Sequence, residues 1–174
     1  MAKAKRKPGR SAAAGSGARF PGGLDAVCFA LARAYYNYLG LLERILAETK
    51  MDRHVRPGMG HILFALFERD DRVIKDIGAR VQLSSSTLSG LLARMEKAGL
   101  VATRRDEADG RAVRVRLTLR GRAVEAKCHH VVQRINEVML AGFSGADIEQ
   151  AHGLLARMNS AMRSEETKRG GTAP

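Results

Sequence analysis

The sequence has no tryptophan, only two cysteines, and draws just 5% of its residues from the aromatic types. Each shortage closes off a class of protein. So few rings leave little material for a platform that stacks unpaired bases. Cys28 and Cys128 are too few for a disulfide framework, so a reducing compartment is expected. No apolar run approaches the roughly 18 residues a membrane-spanning helix needs. The first twenty residues have a basic start but no apolar signal-peptide core. A cytoplasmic home and no membrane partner follow as expectations. There is also no Gly-rich phosphate loop, no HExxH and no nucleophile and base set, so neither an enzyme nor a cofactor is expected.

What the chain does have is positive charge. Its 174 residues carry 30 Lys plus Arg against 18 Asp plus Glu, a formal net charge of +12, in a composition that is 45% hydrophobic. That length and hydrophobic content suit one folded domain with tails. Acid is absent from residues 1–23, where Lys3, Lys5, Arg6, Lys7, Arg10 and Arg19 supply +6 amid Gly, Ala, Ser and Pro. Arginines 104, 105, 111, 114, 116, 120 and 122 stand against Asp106, Glu107 and Asp109, a local +4. Two separate basic patches point to a polyanion, DNA or RNA. The tail reads as a disordered leader, or alternatively as an arm lying on DNA phosphates.

From Leu24 the apolar residues step by three and four through Val27, Cys28, Leu31, Tyr35, Tyr38, Leu39, Leu42, Ile45 and Leu46, which predicts one long helix. A short core helix is expected over Gly60 to Glu68 after the Pro57-Gly58 breaker, and a third near Ile74 to Val81. Ser84, Ser85, Ser86 and Thr87 offer caps to a fourth, whose apolar stripe is Leu88, Leu91, Leu92 and Met95. Gly99 stops it, with Leu100 as the contact beyond. The period then falls to two: Val113, Val115, Leu117 and Leu119 alternate with Arg114, Arg116, Thr118 and Arg120. With Leu100 to Arg104 as partner, this predicts a two-stranded hairpin with a charged tip. Two more helices read from Ala123 to Met139 and from Ala146 to Met162, the second opened by a Ser144 and Asp147 capping box, before a frayed tail.

A helix, a turn and a second helix with a serine-rich entry, followed by a basic hairpin, is the equipment of a DNA groove reader. The run from Ile77-Gly78-Ala79-Arg80-Val81 through Thr87-Leu88-Ser89-Gly90-Leu91-Leu92 to Glu96-Lys97-Ala98-Gly99-Leu100-Val101 resembles the helix-turn-helix of MarR-type regulators. Arg104-Arg105-Asp106 through Asp109-Gly110-Arg111 to Leu117-Thr118, ending with Gly121, resembles their wing. The resemblance covers residues 24 to about 163. It implies a mainly α fold with a small two-stranded β-wing, in which a winged lobe (57–121) joins dimerisation helices (24–50 and 122–163), with a flexible tail over 164–174. It implies further a bacterial transcriptional regulator, usually a repressor, that binds double-stranded palindromic DNA as a homodimer and is released by a small ligand. The DNA contacts it implies are Ser85, Ser86, Thr87, Ser89 and Arg94 on the recognition helix. On the wing they are Arg104, Arg105, Arg114 and the pair Asp109 and Arg111, whose carboxylate orients the arginine. Three positions depart from the pattern. Gln82 replaces the usual turn glycine and is expected to adopt another backbone conformation; Ser85 stands for a frequent proline, and Gly90 for a frequent arginine.

A regulator needs a second input. Tyr35, Tyr38, His61 and Phe64 are candidate linings of a pocket for a phenolic or other aromatic effector, although aromatics at helical spacing are more often plain core. Cys28, followed by Phe29 at the start of the first helix, is similar to the organic-peroxide-sensing branch, with Cys128 placed as its resolving thiol. Ala32 and Leu42 stand where that branch keeps tyrosines, and Cys28 also fits the apolar stripe as a buried structural residue. Cys128-His129-His130 point about 100° apart on a helix and do not chelate one ion together, so no metal is expected. A non-specific architectural DNA-binding protein is the alternative from another class.

Overall fold

A computed structural model describes residues 26–170, with side chains described through 165. The basic tail expected over 1–23 lies outside the described residues, as do residues 171–174. The first helix, α1 (Val27–Glu48), runs from a compact unit ending at Gly40 into a second beginning at Leu41. In the first unit the apolar residues of α1 are poorly covered: Val27, Phe29, Tyr35 and Tyr36 are exposed, and Leu31, Tyr38 and Leu39 half-buried. The buried residues of α1 are Ile45 and Leu46, in the second unit.

That second unit holds the core. Gly58 takes a left-handed φ of 89° and launches α2 (Met59–Glu68), whose Met59, Ile62, Leu63 and Leu66 are all buried. The short strand β1 (Arg72–Val73) leads into α3 (Ile74–Val81), and α4 (Ser85–Lys97) follows. Between α3 and α4, Gln82 stands at φ 56°, ψ 37°, with its N–H on the Gly78 carbonyl at 2.9 Å. The expectation of a different conformation is thus corrected: the turn keeps its left-handed geometry without glycine, at a cost of roughly 1–2 kcal/mol that the packed helices on either side offset.

Ser84 is the N-cap of α4, its Oγ accepting from the Thr87 N–H at 3.3 Å, while Leu88, Leu91, Leu92 and Met95 are buried as the stripe required. Gly99, at φ 70°, ends the helix: its N–H donates to the Glu96 carbonyl at 2.9 Å and the Leu100 N–H to that of Met95 at 2.9 Å. This is the paired closure of a Schellman motif. It delivers the chain into β2 (Val101–Arg105), which pairs antiparallel with β3 (Val113–Leu117), Thr103 opposite Val115 and Arg104 opposite Arg114. The sheet has three strands in the order β1-β3-β2, not the two expected. The extra strand pairs only Arg72 with Val115 and Val73 with Arg114, too short to leave a period in the sequence.

Leu119 is not a strand residue. It opens α5 (Leu119–Ala123) and is 88% exposed, because Thr118 interrupts the alternation as an N-cap whose Oγ1 accepts from the Gly121 N–H at 3.0 Å. The single helix expected over 123–139 is therefore two, α5 and α6 (Glu125–Met139), divided at Val124. Cys128, Val131 and Ile135 of α6 face the core. The last helix, α7 (Gly145–Gly170), opens with the expected capping box: the Ser144 N–H donates to Asp147 Oδ2 at 2.9 Å and the Asp147 N–H to Ser144 Oγ at 3.2 Å. It continues through residues expected to be a flexible tail, since Glu, Lys and Arg extend a helix and no glycine intervenes between Ser164 and Gly170.

Candidate nucleic-acid interface

With its apolar stripe turned inward, α4 leaves Ser85, Ser86, Thr87, Ser89, Gly90 and Arg94 exposed on its other face. Small side chains cover the first two turns, so backbone and hydroxyls lie open to close approach, and the helix N-terminus adds a partial positive charge. The Thr87 hydroxyl accepts from Ser84 Oγ at 2.8 Å, which fixes its orientation. Gly90 sits in open space, with no atom within 4 Å of where a Cβ would stand. Glu96 ties this helix to the wing: its Oε1 accepts from the Thr103 N–H at 3.1 Å and from Thr103 Oγ1 at 2.9 Å.

The wing tip is a closed turn. Asp106 Oδ1 accepts from the N–H groups of Ala108 at 2.8 Å and Asp109 at 3.0 Å, and the Asp106 N–H donates to the Ala112 carbonyl at 2.9 Å. The Arg114 guanidinium, followed by those two N–H groups, pulls the Asp106 carboxyl down to about 2, so it is an anion at any physiological pH. Asp109 acts differently from the expected pairing. Its Oδ1 accepts from the Arg111 backbone N–H at 3.0 Å and no ion pair joins the two side chains; the carboxylate shapes the turn and leaves the guanidinium outward.

The arginines fall into two sets. Arg104 Nη2 and Arg114 Nε both donate to Asp71 Oδ2, at 2.9 and 3.1 Å, Arg114 Nη1 reaches Asp106 Oδ2 at 2.6 Å, and Arg104 Nη1 reaches Glu107 at 3.0 Å. These two, expected as DNA contacts, are paired with carboxylates of the wing turn and with Asp71 just ahead of β1. Arg105, Arg111 and Arg116 are exposed and, among the described residues, carry no ion pair. The sequence placed Arg116 on the cationic face of the hairpin without naming it as a contact, and it did not single out Asp70 or Asp71. Asp70 Oδ1 accepts from the N–H groups of Leu117 at 2.9 Å and Asp71 at 2.8 Å, and its Oδ2 pairs with Arg122 at 2.8 Å. The available signal was two consecutive acids just ahead of a strongly cationic hairpin.

Residues 61–121 match the family model described as a winged helix DNA-binding domain. The transcriptional regulator TtmR of Methylorubrum extorquens, a protein of the helix-turn-helix type, is 30% identical over 168 residues, covering 95% of this chain and 80% of that one. A probable transcriptional regulator from Pseudomonas aeruginosa superposes with a TM-score of 0.69 at 28% identity, over 77% of this chain and 97% of that one. A MarR transcriptional regulator from Methanosarcina mazei shares the fold, with a TM-score of 0.64 at 17% identity over 79% of this chain and 96% of that one. The chain belongs to the MarR family. It is a transcriptional regulator with a DNA-binding winged helix.

The remaining candidate residues of this MarR-family chain divide between its two units. In the first, Tyr35 is exposed and Tyr38 half-buried, its phenol pushed up by burial and by Tyr35. In the second, His61 is exposed on α2, and Phe64 stacks edge-on against Phe67 at 5.6 Å and against His129 of α6 at 5.0 Å. Phe64 is therefore part of an aromatic contact between α2 and α6. A cavity of about 460 Å³ lies between Gln82 and α7, and none of the four lines it. Among the described residues no helix is long and apolar enough to cross a membrane.

In the single chain Cys28 is exposed near the start of α1, whereas Cys128 is buried and burial pushes its thiol up to about 11. Only the thiolate is nucleophilic. In native protein at neutral pH a maleimide should therefore label Cys28 within minutes and leave Cys128 unmodified until denaturant is added. Mass spectrometry of the two cysteine peptides reads this, and equal labelling of both would contradict the burial of Cys128.

Proposed function

We propose that the protein is a homodimeric repressor that lays α4 of each protomer in successive major grooves of a palindromic operator, with the wing tip on the flanking backbone and minor groove. Ser85, Ser86, Thr87, Ser89 and Arg94 face the major groove, and Arg105, Arg111 and Arg116 supply the wing's cationic contacts. The lobe over 57–121 reads DNA, and the helices on either side join the protomers and respond to a small effector. The observation carrying this reading is the division of the arginines. Those paired inside the wing hold its shape, while the unpaired ones point outward beside a recognition helix lined with small hydroxyl residues. An arginine in a groove is worth about 1–3 kcal/mol, and each phosphate neutralised adds about 0.9 to the salt slope.

Arg111→Ala should accordingly weaken binding to a fragment from the chain's own promoter region by about tenfold. Fluorescence anisotropy at several salt concentrations measures both affinity and slope. An unchanged affinity would remove the wing tip from the interface. Competition with random DNA in the same assay separates the readings, since full displacement at fixed salt would favour the architectural alternative. The exposed Cys28 supports a second reading, release of DNA by organic hydroperoxide. It fails if wild-type protein stays bound when hydroperoxide is added.

A further inference from the structure

We propose that Asp71 is the positioning residue of the wing: its carboxylate bridges two facing arginines, Arg104 and Arg114, and so fixes where the tip presents Arg111 to DNA. Arg104 and Arg114 are directly opposed across β2 and β3, and like charges so placed push strands apart. Both guanidinium groups converge on Asp71 Oδ2, at 2.9 and 3.1 Å, and Arg114 Nη2 also donates to the Asp71 carbonyl oxygen at 2.5 Å. The other acids on these arginines, Asp106 and Glu107, sit in the wing turn and travel with it. Asp71 stands instead between α2 and β1, at the root of the sheet, so its contacts tie the wing to the lobe. Asp70 beside it fastens a different place, the end of β3 and Arg122.

The position itself is under strain. Asp71 takes φ 54°, and its Oδ1 is buried without a hydrogen-bond partner. Backbone of this kind persists where the surroundings over-determine it and clusters at functional positions. Asp and Asn are the non-glycine residues that tolerate it best, so Asp71→Asn removes the charge while leaving shape and backbone in place.

The inference rests on the proposed role of the wing tip in operator binding, and the experiment keeps the two apart. In full-length Asp71→Asn without DNA, amide hydrogen exchange over 104–114 should quicken about tenfold while α2 and α4 are unchanged. The ratio of operator to random-DNA affinity at fixed salt should fall about tenfold. Adding Arg104→Gln removes the facing charge and should return both quantities toward the parent values, a rescue that loss of a generic structural contact does not give. Unchanged exchange in Asp71→Asn overturns the proposal whatever happens on DNA. So does a double variant that exchanges as fast as the single one. Faster exchange with an unchanged affinity ratio upholds Asp71 as the wing's anchor and instead overturns the role of the tip in operator recognition.

Discussion

Gly121→Ala should lower the melting temperature by about 5–15 °C, the largest effect of any single methyl group added to this lobe. Gly121 is buried in α5, and an added Cβ would stand 2.0 Å from the Leu100 carbonyl oxygen and 3.1 Å from its carbonyl carbon. Backbone cannot swing aside as the end of a side chain can. Leu100 is also fixed from both directions, its carbonyl accepting from the Thr118 N–H at 3.0 Å and its own N–H closing the end of α4 on Met95. Relieving the clash therefore means opening either the cap of α5 or the closure of α4. Overpacking of this kind costs about 2–4 kcal/mol out of the roughly 5–15 kcal/mol that holds a domain together. At ~2–4 °C per kcal/mol for a chain of this size, thermal unfolding followed by circular dichroism resolves it easily. A melting temperature equal to the parent's would mean that the contact between α5 and the Leu100 backbone is looser than these distances require.

Replacing Leu154 and Leu155 together with glutamate should convert the protein to a monomer and abolish operator binding. Among the described side chains of α7, residues 145–165, none is buried. Its Ile148, Leu154, Leu155 and Met162 stand 37%, 44%, 52% and 54% exposed, and Val132, Val138 and Met139 of α6 are likewise exposed. A helix that long gains little from propensity alone and needs a packed face, and so many large apolar side chains left exposed on two helices point to an interface. In the homodimer proposed above, a second copy of the chain would supply the covering, with the symmetry that a palindrome requires. Central apolar anchors in such interfaces are each worth about 2 kcal/mol or more, so two buried carboxylates should weaken self-association by more than about a hundredfold. Neither leucine is buried in the single chain, so helical content should stay constant. Light scattering reports the mass and anisotropy the DNA binding; a double variant that remains dimeric would place the interface elsewhere.

Local patterns in the sequence carried much of this architecture. The stripe Leu88, Leu91, Leu92 and Met95, the cap at Ser84, the stop at Gly99 and the capping box at Ser144 all act within a few residues, and the structure has each of them. What was illegible acts at a distance or by exception. The strand at Arg72–Val73 exists only through its pairing with residues more than forty positions later. Leu119 continued the alternation by chance, and one threonine hydroxyl ended the strand before it. At Gln82 packing overrode a backbone preference worth roughly 1–2 kcal/mol. The arginines show the limit most clearly. Counting them gave the wing's +4, but which ones are spent on carboxylates depends on Asp71, 33 positions from Arg104 and 43 from Arg114.

The closure at Gly99 leaves no slack between α4 and β2, since Val101 is already a strand residue and Glu96 is bonded back to Thr103. Recognition helix and wing are thereby a single rigid body, and the distance between what each touches on DNA is set when the chain folds. In the proposed homodimer two such bodies approach one duplex, and what stays adjustable is the spacing and the tilt of one relative to the other. On that proposal, an effector that lifts the protein from its operator acts at the joint between two heads rather than within one.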